Sequence, residues 1–273
     1  MRVAPLCITP CMVSMSLLTE PGPPLVIGHR GAAAVRPENT LPSFEFALGL
    51  GVDAVEFDVR VSGDGVAVVH HDQFTGRTCG TDIQIERSSI RALRRLDAAA
   101  TFAGPYRDSR RTPIPLLDEV LELTRGVPVI IECKTFEAVP LVLNALLAHD
   151  ARDRAVVGSF LHDAMRLVRG SGVPSGASRR DMSSVLLRTA VRSMPRRVAY
   201  AAMCIPERSS GIALPVARLA VWGRTIGVPV HVWTVNRSTD ARRLWDAGVT
   251  GILSDDPETM LRARMSRAAA GAG

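Results

Sequence analysis

From residue 25 onward, short apolar runs alternate with longer amphipathic stretches, and this alternation constrains the chain more than any other feature. Strand-sized runs occupy Leu25–Gly28, Ala54–Val59, Val127–Glu132, Ala155–Ser159, Ala199–Ile205, Pro229–Val235 and Gly251–Ser254, with a weaker one at Gly172–Ala177. Between them, Leu41–Gly49, Leu116–Arg125, Val139–His149 and Ala241–Ala247 have helical period. Strand then helix, repeated about eight times over roughly 250 residues, predicts an α/β fold of the (β/α)8 TIM-barrel type. An open doubly wound sheet is the alternative, weakened in its dinucleotide-binding form because no GxGxxG follows the first run. The turn Ser62-Gly63-Asp64-Gly65 leads into Val66–Val69, which predicts a small hairpin insertion after strand 2. Thr40 is placed to cap a helix that opens on Leu41-Pro42.

The 273 residues are enough for a large core, and 47% apolar with 22% charged is an ordinary globular balance. No linker divides the chain, so residues 25–262 read as one domain. Pro5 and Pro10 break up the apolar start, and residues 1–24 are expected to form a disordered extension, with Met15 as an alternative initiator. Residues 263–273 are expected to be a flexible tail. No uncharged apolar run reaches the roughly 18 residues a membrane span needs, so a soluble protein without a transmembrane segment is expected. Five scattered cysteines form neither a disulfide framework nor a zinc spacing, which favours a reducing, cytoplasmic setting.

The net charge of +6 comes from 33 basic and 27 acidic residues. Six arginines against Asp181 fall between Arg179 and Arg197, but no aromatics interleave with them. A solvated helix face is the expectation there, and nucleic-acid binding is not. All the basic residues but one are arginine. The exception, Lys134, is a candidate for a position that needs a compact ammonium, with chance as the alternative reading.

Three of the apolar runs end in groups suited to chemistry: His29, Glu56 with Asp58, and Glu132. In a barrel those ends share the face where active sites are built. Side chains two apart on a strand share a face, about 6 to 7 Å apart, so Glu56 and Asp58 point together and need a cation. Arginines at the barrel mouth or a hard divalent metal would each meet that need, and Glu132 offers the metal a third carboxylate. His29 and His71 are candidate acid and base, because imidazole titrates near neutral pH. His70 adjoins His71, but an extended chain turns only one of them to the site. Arg30 and Lys134 add fixed positive charge suited to a phosphate.

Taken together, GHRG…PENT, EFDV, DGVAVVHHD, IIECK, VGSF, VHVWTVN and GVTGILSDDPE resemble the signature of the glycerophosphodiester phosphodiesterase family, in order and spacing, over roughly residues 25 to 260. The resemblance implies a TIM barrel that hydrolyses small-molecule glycerophosphodiesters to glycerol 3-phosphate and an alcohol. It implies acid–base roles for His29 and His71 and one divalent metal, Ca2+ or Mg2+, on Glu56, Asp58 and Glu132. It implies substrate contacts for Arg30, Lys134 and Trp233. The match is weakest over Ser171–Ala201, which bears on the identity of the leaving alcohol. Lysophospholipase D-type hydrolysis of a larger lipid phosphodiester is the alternative activity, and a non-catalytic phosphodiester-binding barrel the alternative class.

Overall fold

The structure, a computed structural model, describes residues 16–104, 110–190, 193–209 and 211–271. Its strands are β1 (Leu25–His29), β2 (Ala54–Val61), β3 (Ala67–Val69), β4 (Val129–Cys133), β5 (Ala155–Gly158), β6 (Met203–Pro206), β7 (Arg208–Ser209), β8 (Ile212–Ala213), β9 (Val230–Trp233) and β10 (Gly251–Ser254). Seven of them form a curled parallel sheet in the order β5-β4-β2-β1-β10-β9-β6. Its two ends are joined through residues 175–177, where Val157 bridges Ser175 and Gly176 bridges Ala202, both parallel. Gly176 N–H donates to Val157 O and Ala177 N–H to Ala202 O, each at 2.9 Å. The weak fifth run is therefore a barrel position held by bridges, because Gly172, Pro174 and Gly176 deprive it of side chains and a donor.

Strand alternation sorts the side chains into two layers. Val26, Val55, Phe57, Val129, Ile131, Val157 and Val232 face outward into the layer beneath the helices, where Phe57 meets Phe44 edge-on at 5.7 Å. Leu25, Ile27, Ala54, Ile130, Val156, Ala202 and Leu253 fill the lumen. The lumen is apolar where the strands begin. Two residues further along β1, β2 and β4 the same face turns polar, at His29, Glu56 and Glu132, and that change of character makes the site.

The floor of the lumen is closed from an unexpected direction. Residues 16–24 fall within the expected disordered extension, yet helix Ser16–Thr19 places Leu18, 3% exposed, against the lumen residues. An open barrel end would leave Leu25 and Ile27 in water, and Leu18 removes that cost. Residues 1–15, including Met15, lie outside the described residues. The expected flexible tail is likewise helical through Gly271, in helix Pro257–Gly271. Ala263 is buried there and Arg264 pairs with Asp53, which anchors the helix to the barrel. The insertion after β2 also exceeds a hairpin. β3 pairs antiparallel with β2 as expected, but the described residues up to helix Leu117–Leu123 add three short helical turns around a core of their own, built from Val68, Ile85, Leu93 and Ile114.

His231 lies in the lumen floor, fully buried, and its Nε2–H donates to Leu18 O at 3.0 Å. Its Nδ1 faces Gly251 so closely that a Cβ there would lie 2.3 Å away, so the neighbouring strand must carry glycine. Burial pulls the His231 pKa down to about 4 from 6.5, despite the bond to Leu18. Between those values the unfolded chain binds a proton that the folded chain refuses. Stability is therefore full above pH 6.5 and falls as pH drops towards 4, by about 3 kcal/mol at the limit. Denaturant unfolding at pH 7 and pH 4.5 should show this loss in the native chain and much less of it in His231→Gln. An equal loss in the variant would assign the acid sensitivity to other groups.

Candidate active site

The turn after β1 determines how the site begins. Arg30 and Gly31 both take positive φ, 50° and 88°, and reverse the chain at the strand end. Ser43 fixes this reversal: its Oγ donates to Arg30 O at 2.9 Å and accepts from Ala32 N–H at 2.8 Å. A Cβ at position 31 would lie 2.4 Å from that Oγ, so the close approach requires glycine. Ser43 is itself placed by helix Leu41–Gly49, whose N-cap Thr40 accepts from Ser43 N–H. The HRG and PENT segments are thus two sides of one clamp. It presents His29 and Arg30 on one side and Glu38 and Asn39 on the other.

Three carboxylates converge at the ends of β2 and β4. Glu56, Asp58 and Glu132 have oxygens within 4.8 Å of one another. Asp58 is the best compensated. Lys134 Nζ stands 2.9 Å from its Oδ1, Arg30 Nε 3.2 Å from its Oδ2, and Asn39 Nδ2 donates to Oδ2 at 2.9 Å. Burial alone would raise its pKa, but Lys134 and Arg30 outweigh burial and hold it well below the carboxylate range. Lys134 also bonds Glu132 Oε1 at 2.7 Å, so a single ammonium bridges two carboxylates. Strand alternation explains its reach: Ile130, Glu132 and Lys134 share the inner face.

Glu56 is treated differently. Its Oε2 accepts from the Arg30 backbone N–H at 3.1 Å and lies 3.8 Å from His29 Nε2. Burial first, then repulsion from Asp58, pushes its pKa up to about 7. A carboxyl so raised beside two further carboxylates lacks a cation of its own. An all-oxygen donor set short of positive charge suits a hard divalent ion, so Glu56, Asp58 and Glu132 are able to hold one.

Both candidate histidines are tethered in the same way. His29 Nδ1 donates to Asp255 Oδ1 at 2.6 Å, and His71 Nδ1 to Asp72 Oδ1 at 2.7 Å. A carboxylate only accepts, so each bond assigns the Nδ1–H tautomer and leaves Nε2 free. Burial lowers the His29 pKa, but Glu56 and Asp255 overcome it and the net shift is upward. Asp255 is steadied in turn by Asn236, whose Nδ2 donates to its Oδ2 at 2.9 Å. On the other side, Arg77 Nε donates to Asp72 and its two terminal nitrogens grip Glu38, which accepts from Arg30 Nη1 at 2.7 Å. His70 turns away, with Nδ1 3.0 Å from Asp72 O and Nε2 3.1 Å from Thr78 Oγ1.

His29, Arg30, Glu56, Asp58, His71, Glu132, Lys134 and Trp233 all line one cavity of about 140 Å³. Its remaining walls are largely apolar and include Ile130, Val156, Phe160 and Leu253. The sequence reading brought these eight together but missed the groups that orient them. Asp255 had a usable signal, being a carboxylate just past the end of an apolar run, as Glu56 and Glu132 are. Glu38 lies within the PENT motif, but Arg77 had no such signal, and their pairing joins residues 39 apart.

Polar groups at the carboxyl ends of parallel strands, above an apolar lumen, define an α/β-barrel enzyme that handles an anion. Comparison with known proteins narrows the class. The family model described as "Glycerophosphoryl diester phosphodiesterase family" matches residues 29–259. The chain is 29% identical over 250 residues to the glycerophosphodiester phosphodiesterase of Caldanaerobacter subterraneus subsp. tengcongensis, covering 87% of this chain and 96% of that one. A solved glycerophosphodiester phosphodiesterase from Thermotoga maritima superposes with a TM-score of 0.67 at 25% identity, covering 88% of this chain and 98% of that one. An Oleispira antarctica phosphodiesterase, solved with the product sn-glycerol-3-phosphate, shares the fold at 24% identity and TM-score 0.72, covering 88% and 96% of the two chains. The chain belongs to the glycerophosphoryl diester phosphodiesterase family and is an enzyme.

Proposed function

We propose that this protein hydrolyses small glycerophosphodiesters to glycerol 3-phosphate and an alcohol, using His29 and His71 as its acid–base pair and one divalent cation. The observation that carries this reading is the meeting of two carboxylate-tethered imidazoles, three carboxylates and two cations in one cavity. Each imidazole has Nδ1–H occupied by an aspartate, so proton exchange falls to Nε2. One Nε2 accepts the proton of the neighbouring glycerol hydroxyl as it attacks phosphorus, and the other, in its protonated form, gives a proton to the departing alkoxide. Water then opens the cyclic phosphate with the two roles reversed, which yields glycerol 3-phosphate. Arg30 and Lys134 bring positive charge to the phosphodiester. Glu56, Asp58 and Glu132 would hold Ca2+ or Mg2+, and a bound cation of this kind stabilises negative charge that builds on phosphoryl oxygens. Trp233, packed edge-on against Phe160 at 6.3 Å, supplies an apolar wall for the glycerol carbons.

The deciding experiment measures glycerol 3-phosphate released from glycerophosphodiesters of choline, ethanolamine, glycerol and inositol in the presence of Mg2+ or Ca2+. Turnover of at least one is expected. No release from any of them, alongside turnover of a lysophospholipid, would favour lysophospholipase D-type hydrolysis instead. That second reading draws on Phe160 and Leu161, which border an adjoining cavity of about 240 Å³ beside His71 and Lys134.

A further inference from the structure

We infer that the His71 side of the barrel mouth docks on the surface of an anionic phospholipid bilayer. The chain has only seven phenylalanines, and Phe74, Phe136 and Phe160 are each 45–47% exposed. Phe136 and Phe160 follow β4 and β5 at the carboxyl ends of parallel strands, and Phe74 lies three residues past His71, where antiparallel β3 has returned to the mouth. Leu161 is exposed in the loop after β5, and Ile212 in the β7–β8 hairpin that follows β6. β3 pairs with β2, and around the sheet β2, β4, β5, residues 175–177 and β6 are consecutive. The exposed apolar side chains therefore stand on successive connections in an arc around half of the mouth. The loops after β9, β10 and β1 carry no exposed large apolar side chain among the described residues.

Charge points to the occupant. Arg179 and Arg180 open helix Arg179–Ala190 beside this arc, are exposed, and pair with no carboxylate among the described residues. The Arg179 guanidinium lies 5.6 Å above the Phe160 ring, joining cation and aromatic in one unit. Arg208, in the β7–β8 hairpin after β6, adds a third exposed cation. The same connections expose Asp82, Glu137 and Asp163, which match the three arginines in number, so the attraction to an anionic surface comes from the chain's net +6. Phenylalanines standing separately on different loops fit a bilayer, which admits each one individually. A protein partner would need a matching socket for every one. Arginines beside them favour anionic headgroups. The adjoining cavity, bordered by His71, Lys134, Phe160 and Leu161, opens within the arc. Docking there would face the site towards phosphodiesters at headgroup level, and that orientation alone rests on the phosphodiesterase reading.

The test uses the full chain and sedimentation with vesicles of phosphatidylcholine alone or of an equimolar phosphatidylcholine–phosphatidylglycerol mixture. Binding is expected on the mixed vesicles and to be weak on the neutral ones. The Phe74→Ser/Phe136→Ser double variant, at positions outside the catalytic cavity, should bind the mixed vesicles roughly tenfold or more weakly. It should hydrolyse a soluble glycerophosphodiester at the native rate. Absence of binding to mixed vesicles, equal binding to neutral ones, or undiminished binding by the variant would overturn the inference. So would a solution dimer that the double variant dissociates, since a second copy would then cover the arc. Failure of both proteins to hydrolyse soluble substrate, with vesicle binding intact, would count against the proposed reaction and leave the docking supported.

Discussion

Exhaustive chelation is expected to lower turnover by roughly 10³-fold, the equivalent of several kcal/mol, with recovery on adding back Mg2+ or Ca2+. The physical ground is an imbalance in the site. Asp58 and Glu132 share the Lys134 ammonium, and Asp58 also has Arg30, whereas Glu56 has only the His29 imidazole, 3.8 Å away, in place of a permanent cation. Burial and the neighbouring carboxylates hold its pKa near 7, so the charged form is costly without a cation. Calorimetric titration with the metal gives a readout independent of turnover. Glu56→Gln should weaken binding by removing one ligand charge, and Lys134→Met should leave the metal-binding oxygens in place. Full activity after chelation, with no heat of metal binding, would reject the three-carboxylate assignment and return these groups to a purely structural ion-pair role.

Alanine at His29 or His71 is expected to cost about 10² to 10⁴ in turnover, the usual weight of a lost acid or base. The aspartate tethers make a sharper form of this expectation. Asp255→Asn and Asp72→Asn would keep the shape but present an amide able to donate as well as accept, so the imidazole tautomer is no longer assigned. Each should lower kcat with a smaller effect on KM. His70→Ala should cost far less, because His70 bonds Asp72 O and Thr78 and does not line the cavity. Steady-state kinetics on the five variants decides the matter. Near-native turnover in His71→Ala together with a crippled His70→Ala would exchange the roles of the two histidines.

Much of this protein can be read along the chain because a barrel translates period and position into place. Period-2 alternation puts Ala54, Glu56 and Asp58 on one face and Val55, Phe57 and Val59 on the other. Recurrence of strand and helix then brings the ends of β1, β2 and β4 to one mouth. Every residue expected in the site came from such a strand end or from the short loop beside one. The single lysine could likewise be singled out before its partners were visible, since composition shows where an ammonium was kept.

Contacts between segments far apart in the chain leave no such trace. Leu18 closing the lumen against His231 joins residues 213 apart, and His29 meets Asp255 across 226. Neither pairing produces a period or a local motif, and the prolines near the start suggest disorder where residues 16–24 pack. The same holds for the Arg30–Glu38–Arg77–Asp72–His71 chain, because Arg77 reaches the site only after the insertion folds around its own small core. Local sequence decides which residues face inward at each strand end. Closure of the barrel decides which of them touch, because only closure fixes the distances over which charges pair and imidazoles are held.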